Sequence, residues 1–291
     1  MYLIKSMGTE KKIKKKVERL NRLMDPDLIS KPKSIHSFRL EVKRLQALME
    51  ARAGQFDAGG KKLLPGKLDD IYHLLGKTRK YDLTKEAAES IAQKHSIPLP
   101  VAFMRHLDEK KEKNSQKLKE SDGAHDDMNP DLVKAPENGK SPVHEYQFLV
   151  SCSDSIFSLL RKDLLADLDS LHQLRKILKS LLYTAGLFKK TDNSLYRFLK
   201  SRKDLMKSAE SKIGAIHDLH FFIKQAGQKI QGADSAEQST LAELTRAWQD
   251  EINILNEDIK KLLPRIDRLA KTLRKKSISS APTPSVLLSA G

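Results

Sequence analysis

A three-residue basic pattern occurs twice in this chain at helical spacing, and a repeated helix of that kind leaves few folds open. Its first copy is His36, Arg39 and Lys43 in SIHSFRLEVKRLQALM; its second is His172, Arg175 and Lys179 in SLHQLRKILKSLLYTA. Positions 0, +3 and +7 of a helix fall within about 60 degrees of one another, so each set forms a polar seam roughly 10 Å long. The apolar residues repeat in step. Phe38, Val42, Leu45 and Met49 hold the same offsets as Leu174, Leu178, Leu181 and Ala185, on an adjoining face. Each helix must bury that face and keep its basic seam at the edge of the packing. A second pair of segments repeats as well: Leu75-Gly76 before Arg79 in YHLLGKTRKYDL answers Ile213-Gly214 before His217 in ESKIGAIHDL. From His36 to His172 the offset is 136 residues, and from Gly76 to Gly214 it is 138. Offsets so nearly constant predict two halves of like architecture.

Charge indicates what such a scaffold attracts. Lys and Arg number 54 against 38 Asp and Glu, a formal charge of +16 over 291 residues. That excess is beyond what solubility requires and implies an anionic partner: nucleic acid, inorganic polyphosphate, a nucleotide or an acidic membrane. The single Cys152 rules out an intrachain disulfide framework and fits a reducing compartment. In FLVSCSDSIFSLL, with no His beside it, Cys152 reads as a buried thiol rather than a nucleophile. The opening MYLIKSMGTEKKIKKK places its apolar patch before its lysines, the reverse of a signal peptide. No stretch approaches the roughly 20 apolar residues of a membrane span. Cytoplasmic placement without membrane insertion is the expectation.

Helical period runs through almost everything outside the linkers. The first helix is expected from about Thr9, as cap, to Leu23, stopped by Asp25-Pro26. The His36 helix starts near Lys33-Ser34 and ends before Gly54. A loop follows to Gly66, and then a helix carrying Leu68, Ile71, Leu74 and Leu75, with further helices to about Lys119. The stretch from Lys110 to Pro142 passes from a Lys/Glu run into SDGAHDDMNPD and KAPENGKSP, an extended helix end followed by a flexible linker. Beyond it come a helix from about Val143 to Leu160, the His172 helix, and helices around Leu195 to Gln231. A break at Gly232 to Ser239 precedes a long helix from about Leu241 to Leu262, which Pro264 kinks or interrupts before RIDRLAKTLRKK. The organisation is therefore an N-terminal half over residues 1–109, a linker over 110–142, a C-terminal half over 143–276 and a disordered tail over 277–291. Four helices close each half, because short loops favour antiparallel neighbours and each apolar face needs cover. The fold class is all-α, two antiparallel four-helix bundles.

Two copies of the seam at matching places outweigh the ordinary account of a charged helix face as merely solvated. If the halves pack about a pseudo-twofold axis, the seams line opposite walls of one cleft and meet an elongated polyanion from both sides. Arg holds two oxygens in a planar fork, Lys supplies a mobile point charge, and His adds a donor that charges below about pH 6.5. Arg44 lies just off the first seam, Arg79 and Lys80 follow Gly76, and Arg202 and Lys203, with Arg161 and Lys162, are their possible counterparts. The enzymatic alternative is a helical metal-dependent phosphohydrolase using His172, His217-Asp218 and Asp250 or Asp258. The spacing guarantees no convergence at metal distances. No Walker A loop or dinucleotide fingerprint occurs. Nucleic acid remains open as a partner, because its backbone is also a polyphosphate. Against it, aromatics are 5% of the chain and none interleaves with the seams to stack bases; Trp248 and Phe221-Phe222 read as core.

At these residues the chain resembles the CHAD family, the conserved-histidine alpha-helical domain, over roughly Thr9 to Lys276. IHSFRLEVKRLQAL and LHQLRKILKSLLYTAGLF match its His-x-x-Arg-x-x-x-Lys helices, and LLGKTRKYDL and KIGAIHDLHFF resemble its Leu-Gly-x-x-Arg-Asp segments. Lys80 stands at the expected Asp, with Asp82 two residues on, and His217 stands for the expected Arg before Asp218. The resemblance implies one unit of two pseudo-symmetric four-helix bundles around a basic central channel. It also implies binding of inorganic polyphosphate and association with polyphosphate granules. His36, Arg39 and Lys43 would line the channel from one half, and His172, Arg175 and Lys179 from the other. The triphosphate-tunnel domain common in relatives is not seen, which argues against hydrolysis. The expectation is thus a polyphosphate-binding module with no catalytic residue, no metal and no cofactor.

Overall fold

The computed structural model describes residues 7–23, 32–56, 66–120, 143–230 and 232–281. Among the described residues there are nine α-helices and no strand: α1 Met7–Leu23, α2 Pro32–Ala53, α3 Gly66–His95, α4 Val101–Glu120, α5 Val143–Leu160, α6 Leu168–Thr184, α7 Asn193–Ser201, α8 Lys203–Ile230 and α9 Ser235–Ser280. None is long and apolar enough to cross a membrane.

Local chemistry explains the ends. Gly54, at φ +74°, takes the left-handed position that closes α2. Its N–H bonds Ala51 O, and that of Gln55 bonds Glu50 O, satisfying carbonyls that the helix leaves open. Ser96 performs the same turn at φ 55° after α3, with Ile97 N–H donating to Ala92 O at 2.9 Å. Asp167, Asp192 and Asp234 cap α6, α7 and α9 by accepting from the backbone N–H groups of Asp169, Leu195 and Glu237.

Several expected boundaries move. Helix α1 begins at Met7, so Thr9 lies within it rather than capping it. The C-terminal part holds five helices, not four, because the segment around Leu195 breaks into the short α7 and the long α8. Helix α4 ends at Glu120, next to the expected Lys119, so the segment from Lys110 begins as the helix end that was expected. The break before α9 ends at Asp234, earlier than Ser239. Pro264 does not interrupt α9, which runs 46 residues through it. Pro264 is exposed, so the carbonyl it leaves unbonded, that of Lys260, can be hydrated. Residues 277–280, expected in the tail, are helical, and Ser277 is fully buried. Most of the expected linker and the rest of the tail lie outside the described residues, as does most of the loop after Gly54.

The two seam helices sit at the centre. Helix α2 packs against α1, α3, α5 and α6; α6 packs against α2, α5 and α8; α9 covers α5 and α8; and α4 lies along α3. Phe38, Val42, Leu45, Leu174, Leu178 and Leu181 are all fully buried, as the repeated apolar register requires. They belong to one apolar cluster that runs from α1 to α9 and includes Trp248, Phe103 and Cys152. Polar bonds also cross between the halves: Ser180 donates to Glu50 at 2.9 Å, and the Phe103 N–H donates to Glu237 at 2.9 Å. Helix α1 is fastened to α2 by charge. Glu41, 1% exposed, is met by Lys16 at 2.5 Å, Arg44 at 2.7 Å and Arg19 at 3.4 Å.

Candidate functional site

Each seam is built the same way, from one basic helix laid against a glycine of a helix packed on it. Arg39 on α2 lies over Gly76 of α3, and Arg175 on α6 lies over Gly214 of α8. A Cβ at Gly76 would stand 2.9 Å from Arg39 Cζ, and one at Gly214 would stand 2.8 Å from Arg175 Cζ. The two glycines noticed in sequence are thus the floors on which the guanidinium groups rest. A double G76A/G214A substitution must lift both groups. Alanine is the better helix former by about 1 kcal/mol per site, so melting temperature should change little while anion affinity drops several-fold. Unchanged affinity in a titration would separate the glycines from the site.

Arg39 donates to Tyr72 O at 2.5 Å and its Cζ stands 4.3 Å from the Tyr72 ring centre. Arg175 Nε and Lys179 Nζ instead reach Glu210 of α8, at 2.9 and 2.8 Å. The seams meet at their lysines. Lys43 and Lys179, one on α2 and the other on α6, are close enough for each to act on the other's ionisation. Burial first, and then the charges of Lys179, Arg39 and Arg175, bring Lys43 down to about 7. Burial and Arg175 likewise lower Lys179 against the pull of Glu210.

The histidines differ. His36 is exposed, and burial with the charges of Arg79, Lys43, Lys179 and Arg39 lowers it from 6.5. His172 is half-buried, its ring 5.2 Å from that of His217. Burial, with His217 and Arg175, takes His172 down to about 4. It is neutral at physiological pH, and the charging expected below about 6.5 is moved to lower pH.

The remaining expected residues fall into three places. Arg79 is close enough for its charge to act on His36 and Arg39. Lys80 stands 4.8 Å from the Phe221 ring centre and feels Asp218, Arg39 and Arg175; Asp218 therefore faces the lysine that replaces the expected first-half acid. Arg44 is beside the seam, but its Nη1 donates at 2.7 Å to Glu41 one turn earlier on the same helix, so its charge is already paired. Arg202 and Lys203 are exposed at the α7–α8 junction, with Arg202 Cζ 5.9 Å from the Phe198 ring centre. Lys203 precedes Gly214 by 11 residues, about 16 Å along α8. Nothing brings either to the seams.

Sequence reasoning missed Tyr72 and Glu210. Each sits one helical turn before its glycine, at a spacing of 138 residues, and that register was the available signal. Aromatic rings also meet the cations, although none interleaves with them in sequence: Tyr72 under Arg39, Phe221 by Lys80, and Tyr183 5.9 Å from Arg44 Cζ. Trp248 and Phe222 pack edge to face in the core, as expected. Cavities of about 840, 700 and 510 Å³ lie along the α5–α9 groove, and no seam residue lines them. Among the described residues, no three His, Cys, Asp or Glu side chains are placed to hold a metal ion. Asp258, one of the residues considered for metal, pairs with Lys212 at 2.6 Å.

Fold and site define an all-helical protein in which two matching helix pairs press their cations together at one place. A profile of the CHAD domain matches residues 12–224, and the chain belongs to the CHAD domain family. The match takes in both seams and both glycine segments and ends inside α8, short of the expected Lys276. Family membership points to a binding role rather than a catalytic one. No curated protein and no solved structure matches the chain.

Proposed function

We propose that the protein binds inorganic polyphosphate through the facing helices α2 and α6, and so targets or organises the polymer at cytoplasmic granules without cleaving it. The observation that carries this is the convergence of the two seams, with Arg39 and Arg175 each laid on a glycine of a facing helix. Lys43 and Lys179 lie half-buried between them, and burial with the neighbouring cations lowers both, so charging them costs energy in the empty site. An anion relieves that cost, and a chain of phosphates relieves it along both seams. Polyphosphate is favoured over nucleic acid because the rings near the site each have a cation, Arg39, Lys80 or Arg44, against them, which competes with stacking of bases.

Proton linkage follows from Lys43. With its ordinary value near 10.5 and its value in the protein about 7, charged Lys43 opposes folding. Its contribution to stability is fully present above about 10.5 and is lost as pH falls toward 7. A bound phosphate favours the charged form, so binding takes up a proton above pH 7. Affinity should fall by up to about tenfold per pH unit between 7 and 9.

The test is a titration with long-chain polyphosphate, orthophosphate, and single- and double-stranded nucleic acid at matched charge and physiological salt. Phosphate release is followed with Mg²⁺ present, and the binding arm is repeated from pH 6 to 9. Selective polyphosphate binding without release, weakening at high pH and high salt, is expected. Preference for nucleic acid, or Mg²⁺-dependent release, would replace the proposal with one of its alternatives.

A further inference from the structure

The two half-sites carry the same cations but not the same charge. In the second, the Glu210 carboxylate accepts from Arg175 Nε at 2.9 Å and from Lys179 Nζ at 2.8 Å, and its side chain is only 18% exposed. In the first, the corresponding place one turn before the glycine is held by Tyr72, which gives Arg39 a carbonyl and a ring face but no negative charge. Among the described residues neither Arg39 nor Lys43 is ion-paired. The protein therefore sets a bonded carboxylate against Arg175 and Lys179, whereas Arg39 feels only the charge of Asp218 without an ion pair.

We propose that Glu210 is a specificity-determining residue that closes the second half-site to single short anions and yields it to a polymer already held by the first. This deepens the polyphosphate reading and rests on it. The argument is one of effective concentration. Glu210 is tethered and oriented against both cations, and a free anion at millimolar concentration competes poorly with such a group. A chain anchored at Arg39 and Lys43 presents its next phosphates to Arg175 and Lys179 intramolecularly, so it competes on like terms. It also brings several linked charges to the place of one carboxylate. While it is paired the carboxylate is ionised: burial would raise it, but Lys179 and Arg175 hold it below the usual range.

Calorimetric titration of the full chain with pyrophosphate and with long-chain polyphosphate tests this, using wild type, E210Q and E210Y. E210Y places at this position the residue that the first half carries there, and serves if E210Q does not fold. The wild type should take one pyrophosphate per chain. Either variant should take two, with the new site strengthened about tenfold or more over any second site of the wild type. In wild type, an R175A/K179A change should weaken long-chain binding by a larger factor than pyrophosphate binding. Two equal pyrophosphate sites in wild type, or one in the folded variants, would overturn the proposal. If wild type takes one pyrophosphate but shows no preference for the polymer, the polyphosphate function fails while the role of Glu210 stands. If wild type binds neither ligand, a variant that gains pyrophosphate binding supports the role of Glu210, and one that does not overturns it.

Discussion

Replacing Arg39, Lys43, Arg175 and Lys179 together with Ala should lower polyphosphate affinity at least about 100-fold at physiological salt and leave the helix content intact. A hydrogen bond to a charged group is worth about 1.5–3 kcal/mol, so the loss of even two contacts accounts for that factor. The dependence of affinity on salt should flatten in parallel, because each removed cation releases one fewer counterion. Stability responds in opposing ways. Loss of Lys43 removes the repulsion with Lys179, whereas loss of Arg175 and Lys179 strands Glu210 without its partners. The apolar faces of α2 and α6 are untouched, so far-ultraviolet circular dichroism should report a folded protein. A folded quadruple variant that still binds tightly would move the site away from the seams.

The largest effect on stability belongs to a residue outside the site. Glu41 is 1% exposed and joins Lys16 and Arg19 of α1 to Arg44 of α2. Glu41→Ala leaves the three cations facing one another without a counter-charge, and should cost about 3 kcal/mol. That is the low end of the range for broken buried pairs, because Arg19 and Arg44 can swing into water. Measured against a typical 5–15 kcal/mol of total stability, such a loss is large. The effect should depend on pH. Burial would raise the Glu41 carboxyl, but Lys16 and Arg44 outweigh burial and hold it below its usual 4.5. Its contribution is therefore complete above about pH 4.5 and disappears as pH falls through the lowered value. Urea unfolding of wild type and Glu41→Ala at pH 7 provides the check, and a difference under about 1 kcal/mol would show that α1 is held by its apolar face alone.

Much of this architecture was legible in the sequence, for identifiable reasons. The seam helices could be read because burial of one face imposes a period, and the period persists in Phe38, Val42 and Leu45 as in Leu174, Leu178 and Leu181. The glycines could be located because they repeat at nearly the seam's own offset. Boundaries were less legible. Pro264 looks like a helix stop, yet an exposed proline can hand its unpaired carbonyl to water, and packing of α9 on α5 and α8 maintains the helix on both sides. Ser277 looks like the start of a polar tail, but it turns inward and donates to Leu273 O at 2.8 Å. Arg44 looked like part of the seam because its place beside Lys43 says nothing of Glu41, one turn earlier on the same helix, which claims its charge.

The sequence by itself determined the helices, their duplication, the cations each seam displays and the glycines that face them. All of these follow from periodicity within one element or from repetition between two. Tertiary structure alone decided how those charges are spent. It brought Lys43 near Lys179, gave Glu41 to Lys16 and Arg19 of α1, set His172 beside His217 where burial keeps it neutral, and placed Tyr72 in one half and Glu210 in the other as the companions of the arginines. Electrostatic energy depends on distance and on exclusion of water, and neither is fixed until helices distant in the chain have packed.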